Sequence, residues 1–512
     1  MRKTLTGIAT LALGLALVSP VAATAVDDVN TRKLRSAVTV NGILQHERAL
    51  QRIANQNGGT RASGTPGYQA SVDYVAGKLR RAGYSVRLQE FTFPFFRVQA
   101  PAQLSQVSPT ATEYETSTFT FSGSGAVTGQ LVPTRDIVIP PAATPSSTSG
   151  CEPGDFPTAP ATPAVALIQR GTCEFGVKAR NAAAAGYDAV IIFNEGQPGR
   201  TELLTSVTLA APASIPVVGL DFASGAALYA AAQAGTVTVR VSTSTEADLN
   251  AKTYNVIADT PKGKNGDETV VVGAHLDSVV EGPGINDNGS GSAGILEIAE
   301  QMAALKYNNR LQRRVRFAFW GAEESGLLGS THYVNNLTDT QREQLYANLN
   351  FDMIGSPNYV RFVYDGDGSD TAVAGPVGSE AIERIFTDYF TSVGLASEPT
   401  EFSGRSDYGP FIEVGIPAGG LFSGAEGIKT AAQAATYGGT AGVAYDKCYH
   451  QACDTMANLS SRALFELGDA AAHAVYTLAK SKRGLYPDGA RLQSKAARKA
   501  VKPDQSGHAL AR

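Results

Sequence analysis

Two histidines and several carboxylates follow apolar runs in the second half of the chain. They are His275 and Asp277 in AHLDS, Asp287 in GINDNGSGSAG, Glu323 and Glu324 in WGAEESG, Asp352 in NFDMIG, and His450 in CYHQACD. Taken singly, a carboxylate after a strand reads as a helix cap or a solvated turn, and a histidine as packing. Taken together they read differently, because successive strands bring them to one predicted edge. Glu323 and Glu324 stand side by side after an apolar strand, and two like charges in a largely buried turn are costly without a neutralising cation. Imidazole plus carboxylate donors suit zinc, with manganese or cobalt as substitutes. Five such ligands exceed what one catalytic zinc with an open position needs, which implies two ions. Two ions about 3.5–4 Å apart share a carboxylate and a water and lower that water's pKa toward 7.

The elements that must position these residues follow from patterning. From about residue 250, TVVVGAHLDS, RRVRFAFWGAEESG and LYANLNFDMIG read as apolar strands with polar exits. SAGILEIAEQMAALK and RALFELGDAAAHAVYTLAK carry helical periodicity. That alternation predicts an α/β fold whose mostly parallel mixed sheet is sandwiched by helices, with ligands beyond the carboxyl ends of the strands. Earlier, LQHERALQRIANQ and GYQASVDYVAGKLRRAG read as helices, Gly83 stops the second, and YSVRLQEFTF alternates like a strand. Between them and residue 250 lies a different block. It has short β-like runs at Gly129–Val132 and Ile137–Ile139, then PAVALIQRG, DAVIIFN and IPVVGLD, an Ala-rich helix, and a Thr/Ser/Ala-rich stretch over Val237–Asp248. It predicts a separate β-rich α/β unit.

Composition bounds the function classes. The chain has 512 residues, 43% hydrophobic and 18% charged, with a net charge of −4. Such a chain is neither a disordered polyelectrolyte nor a generally basic nucleic-acid binder. Arg2 and Lys3, an apolar run from Leu5 to Val18 and the small-residue site Ala23-Thr24-Ala25 predict a signal peptide over 1–25 and a secreted or periplasmic protein. Later segments are too polar to span a bilayer. In the tail, Lys482, Arg483, Arg491, Lys495, Arg498, Lys499, Lys502 and Arg512 face only Asp488 and Asp504, which reads as a solvated basic extension.

The motif order AHLDS, GINDNGSG, GAEESGLLGS, NFDMIG and CYHQACD resembles the secreted co-catalytic zinc aminopeptidases of the bacterial leucyl-aminopeptidase and aminopeptidase Y type. RGTCEFGVKARNAAAAGYDAVIIFN resembles a protease-associated (PA) domain inserted into that peptidase. The resemblance implies the zinc exopeptidase fold. Its expected divisions are a peptidase part over 26–110, the inserted PA domain over 111–248, the main peptidase part over 249–482 and a basic tail over 483–512. It also implies roles. Asp287 bridges two zinc ions, His275 and Asp352 complete one site, and Glu324 and His450 the other. Glu323 is the general base, Asp277 orients His275, Tyr449 stabilises the oxyanion, and Arg405 lies near the substrate terminus. Substrates are peptides with a free N-terminus, with large apolar residues such as leucine favoured, and the PA domain binds or gates protein substrates. Cys448 and Cys453 bracket Tyr449 and His450; in an exported protein they suit a small-loop disulfide, and Cys151 with Cys173 suits a second.

Rival readings are weaker. Gly289-Ser-Gly291-Ser-Ala-Gly294 satisfies GxGxxG, yet Asp287 and Asn288 separate it from the strand, and Arg313 and Arg314 stand where an acid is needed. Neither GxSxG nor HExxH occurs. A carboxypeptidase or deacylase on the same di-zinc core is the nearer alternative, and a non-catalytic PA-domain receptor the other class; the latter's usual signature is a missing ligand or base. His46, His332, His473 and His508 are assigned to helix or tail positions without ligand company.

Overall fold

The structure, a computed structural model, describes residues 28–205 and 207–486. The signal-peptide expectation, His508 and the tail beyond Tyr486 lie outside those residues. Two lobes share one 14-stranded sheet. After a short helix over Arg32–Ala37 come helices α1 (Val40–Gln56) and α2 (Pro66–Arg81). Thr39 and Thr65 cap them by accepting the N–H groups of Gly42 and Tyr68, and Pro66 occupies the first turn of α2, where its missing N–H costs nothing. Gly83, at φ +86°, turns the chain into strand β1 (Ser85–Ser108).

The inserted lobe is built from β2 (Gly125–Pro133), β3 (Ala164–Gln169), α3 (Phe175–Ala184), β4 (Ala189–Phe193), β5 (Val217–Leu220) and α4 (Phe222–Ala234). Strands β2 to β5 run parallel, and β3, β4 and β5 are buried throughout. Strand β6 (Thr238–Asp259) then returns beside β1 as a long antiparallel ribbon, Ser85 facing Asp259 and Ser108 facing Thr238. The Thr/Ser/Ala-rich Val237–Asp248 falls largely within β6, paired with β1 on one side and β2 on the other. One expectation fails. Ile137–Ile139 is not a strand, because the Gln169 side chain occupies the backbone N–H and C=O of Val138.

The main lobe follows with β7 (Thr269–His275), α5 (Gly291–Ala304), β8 (Arg314–Trp320), α6 (Leu328–Asn335), β9 (Leu345–Phe351), β10 (Phe362–Tyr364), α7 (Ser379–Ser392), β11 (Glu398–Thr400), β12 (Ala418–Phe422) and α8 (Ser461–Lys480). The strand order is β11-β10-β12-β9-β7-β8-β6. Its centre, β12-β9-β7-β8, is parallel, and β6 pairs antiparallel with β8. One apolar core joins Val270 and Val272 to Phe317 and Phe319, Leu349 and Phe351, and to helix residues such as Leu50, Val72, Ile298 and Leu467. No helix among the described residues is long and apolar enough to cross a membrane.

Candidate metal centre

The exits of β7, β8 and β9 lie together, and the loop carrying His450 closes over them. Asp287 sits between two imidazoles. Its Oδ1 is 3.2 Å from His275 Nε2, and its Oδ2 is 3.2 Å from His450 Nε2. Asp352 Oδ1 lies 3.4 Å from His275 Nε2, and Glu324 Oε2 lies 3.1 Å from His450 Nε2. Thus His275, Asp287 and Asp352 form one cluster able to hold an ion, Asp287, Glu324 and His450 a second, and Asp287 belongs to both. Glu323 reaches to 3.9 Å from His275 Nε2, beside the clusters.

The donor set fits cations. Glu324 Oε1 and Asp352 Oδ1 are buried and lack any hydrogen-bond partner, a state that costs about 1–3 kcal/mol or more per group. Electrostatics say the same. Burial, with Asp287 close by, pushes the Glu324 carboxyl up to about 7, and burial with Asp407, Asp352 and Glu324 holds Glu323 well above the carboxylate range. Burial opposes charge on His450, yet hydrogen bonds to Asp287 and Glu324 push it up to about 11. The protons held here mark negative charge that a divalent ion would neutralise.

The site loops are held from beneath. His275 Nδ1 lies 3.2 Å from the Asp277 carbonyl oxygen and 3.6 Å from its carboxylate, while Asp277 Oδ1 accepts the Glu323 N–H at 3.3 Å. Ser406 donates to Asp352 Oδ2 at 2.5 Å. Four non-glycine residues of these loops turn through the left-handed region: Ala322 (φ +51°) before Glu323, Leu327 (φ +60°) after Glu324, Met353 (φ +53°) after Asp352, and His450 itself (φ +57°). Such residues persist only where their surroundings over-determine them. A disulfide between Cys448 and Cys453 encloses Tyr449 and His450, and another joins Cys151 to Cys173. Tyr449 stacks on His450 at 3.9 Å, and its hydroxyl accepts from Arg405 Nη2 at 3.2 Å, with Arg405 also paired to Glu426 at 2.6 Å. The cleft above them encloses about 880 Å³, and Met353, Tyr364, Phe422, Ala425, Arg405 and Tyr449 are among its walls.

Sequence reasoning missed several supports. Asp454 accepts the N–H groups of Asn286 and Asp287, each at 2.9 Å, and its own carbonyl accepts that of Ile285. This ties the Asp287 loop to the His450 loop. The buried Arg61 donates to the carbonyls of Leu276, Pro283 and Gly284, clamping the segment between His275 and Asp287. Asp407 is pushed up to about 7 by its burial, with Asp352 and Asp277 adding to it. The one signal available was position: Asp454 ends CYHQACD, and Asp407 lies two residues after Arg405.

Elsewhere, His46 does have acidic company. Its Nε2 is 3.6 Å from Glu297 and 3.3 Å from Glu300, but Lys78 shares Glu300 at 3.1 Å, so the group is an ion-paired cross-link of α1, α2 and α5. His332 stacks on Phe91, and His473 bonds to Thr31.

Residues 127–228 match the PA domain and residues 255–475 match Peptidase family M28. An aminopeptidase of Pseudomonas aeruginosa is 46% identical over 488 residues, covering 94% of this chain and 88% of that protein. This chain belongs to peptidase family M28. Its similarity extends to a probable leucine aminopeptidase 2 of Aspergillus fumigatus, 41% identical over 83% of this M28 chain and 81% of the relative. Among solved structures, BSAP, a zinc aminopeptidase from Bacillus subtilis, superposes with a TM-score of 0.56 at 25% identity, covering 89% of this chain and 96% of that one.

Proposed function

We propose that this M28 chain is an exported aminopeptidase that uses two zinc ions to hydrolyse the first peptide bond of substrates with a free N-terminus, preferring large apolar residues such as leucine. The observation that carries the reading is the position of Asp287, one oxygen toward each of two histidines, with orphaned oxygens of Asp352 and Glu324 on either side. His275, Asp287 and Asp352 would hold one ion, and Asp287, Glu324 and His450 the other. Bound zinc supplies Lewis acidity and acidifies the attacking water.

The chain's own groups do the rest. Glu323, unligated and beside both clusters, takes a proton from the water and passes it to the leaving amine. Asp277 fixes the His275 ring and, through the Glu323 N–H, the turn that carries the base. The Tyr449 hydroxyl, in the cleft wall beside both clusters, would donate to the developing oxyanion. Arg405, in the cleft wall, would lie near the substrate terminus. Met353 and Phe422 offer an apolar wall for the departing residue's side chain. The inserted unit, expected over 111–248, carries no catalytic groups of its own and would bind or gate protein substrates.

Hydrolysis of Leu-p-nitroanilide tests the reading. Activity should vanish with chelator and return with zinc, and Glu323→Gln should keep both ions while losing about 10²–10⁴-fold in kcat. A near-full rate in that variant would remove Glu323 from the role of base. Cleavage of N-acetylated substrates as fast as free ones would move the activity to a deacylase or carboxypeptidase.

A further inference from the structure

The ribbon joining the two lobes has one end in each core, and its main-lobe end lies against the turn that carries Glu323 and Glu324. In FTFPF of β1, residues 91, 93 and 95 point to one face, as alternation along a strand requires. Phe91, Phe93 and Phe95 are buried there in a cluster whose fourth buried member is Ala322, the residue before Glu323, with Leu328 packed beside it. Phe91 stacks on His332 of α6 at 5.1 Å, and Phe93 meets Phe95 edge-on. The rings also press on Gly64, where an added Cβ would sit 2.9 Å from Phe95. Its neighbour Ser63 accepts the Ala322 N–H at 2.7 Å and receives the hydroxyl of Thr253 from β6 at 3.2 Å. Asn255, also on β6, accepts the Gly321 N–H at 3.0 Å and donates to the Gly329 carbonyl at 2.8 Å. Both ribbon strands therefore grip the 321–329 turn.

That turn needs a grip. Ala322 holds φ at +51° and Leu327 at +60°, conformations sparsely populated by residues with a Cβ. The Ala322 methyl is buried in the phenylalanine cluster, so relaxing its backbone would pull that methyl out of the packing. Beyond the cluster the ribbon is exposed at residues 98–101 and 246–250, and then re-enters protein. Phe96 meets Phe121 at 5.5 Å, and Leu104 joins Val239 and Val241 in a core of the inserted lobe.

We propose that Phe93 and Phe95 are positioning residues for the Glu323–Glu324 turn, so that the strand leading into the inserted domain also sets the placement of the general base and of one zinc ligand. The proposal rests on the roles given to Glu323 and Glu324 above. It differs from a purely structural role in what it moves: kcat and the Glu324 metal site of the folded enzyme, with KM left nearly constant.

The experiment uses the full chain, with kcat and KM on Leu-p-nitroanilide, zinc titration and melting temperature measured together. Phe95→Ala should lose on the order of 10²-fold in kcat, the loss that about 1 Å of misplacement brings, and should weaken one zinc site selectively. Phe95→Leu, which keeps an apolar body, should recover most of that rate. Val98→Ser and Leu249→Ser, on the exposed part of the ribbon, should leave kcat and zinc binding unchanged. If Phe95→Ala does not fold, Phe95→Leu and Phe93→Leu decide, and each should lower kcat by about threefold or more. Folded Phe variants with lowered melting temperature but unchanged kcat and zinc binding would overturn the proposal. A Glu323→Gln enzyme with full rate would instead overturn the role of Glu323, which keeps the two failures distinct.

Discussion

Both lobes of this chain place polar residues at the ends of buried parallel strands, but they treat them in opposite ways. In the inserted lobe, Glu195 follows β4 and accepts the N–H groups of Ser146 and Ser147 at 2.8 and 3.0 Å while pairing with Arg200 at 2.9 Å. Gln169 at the end of β3 bonds Val138 and the carbonyl of Glu195, and the buried Lys178 donates to the Ser149 carbonyl. Its orphaned acceptors, Asp136 Oδ1 and Gln197 Oε1, have no histidine beside them. In the main lobe, Glu324 and Asp352 keep unpartnered oxygens beside two imidazoles. The same architecture thus uses its strand exits to complete a structure in one lobe and leaves them incomplete in the other. A buried polar group without a partner points to where a ligand belongs.

The sharpest break in that comparison is Asp287→Asn. Removing charge from the carboxylate common to both clusters should abolish binding of both ions and cost on the order of 10³-fold or more in kcat. Zinc analysis and the anilide assay check it; retention of both ions would refute a shared ligand. In the other lobe, Glu195→Ala should leave kcat unchanged and destabilise the fold by about 3 kcal/mol, because two backbone N–H groups and Arg200 lose their acceptor. Denaturant unfolding measures that loss, and a fall in kcat would break the division of labour between the lobes.

The smallest effect comes from His473 on α8, a buried titratable group of the main lobe outside the site. Burial, with Arg35 nearby, pulls its imidazolium pKa down to about 4. The unfolded chain takes up this proton as pH falls through the usual histidine range near 6.5, and the folded chain does so only near 4. Stability should therefore be full above that range, fall as pH drops toward 4, and level off below. The loss should be about 2 kcal/mol by pH 5. His473→Gln should flatten that stretch of the unfolding curve without changing zinc content.

Much of this was legible in the sequence. The order of polar exits after apolar runs located His275, Glu323, Glu324 and Asp352, because a parallel sheet leaves few other places for such residues; Asp287 and His450, on loops well beyond β7 and β12, were marked by the motif order instead. Helical spacing of apolar residues located α1 and α2, and Gly83 the end of α2. What was not legible came from contacts between residues far apart in the chain. Nothing local marks Arg61 as the donor to carbonyls at 276, 283 and 284, and nothing in α1 announces that Glu297 and Glu300 wait for His46. Asp454 stood inside a quoted motif, but its work is done on backbone N–H groups near residue 286, which leave no pattern in side-chain types. Val237–Asp248 was uninformative for a related reason: its Thr/Ser/Ala composition assigns no element, and long-range pairing makes it a strand.

The β1–β6 ribbon also dictates an order of assembly. Ser85 meets Asp259 only after the whole intervening unit has been synthesised, and β6 in turn is the strand on which β8 pairs. The N-terminal helices therefore cannot complete their lobe early. Closing so long a loop is entropically slow if the intervening chain is slack, and faster once that chain has folded and brought its two ends together. The inserted lobe, whose termini emerge as neighbouring strands, acts as the clasp that makes the peptidase sheet closable. On the ribosome it should be the first region of this molecule to acquire protection from proteolysis.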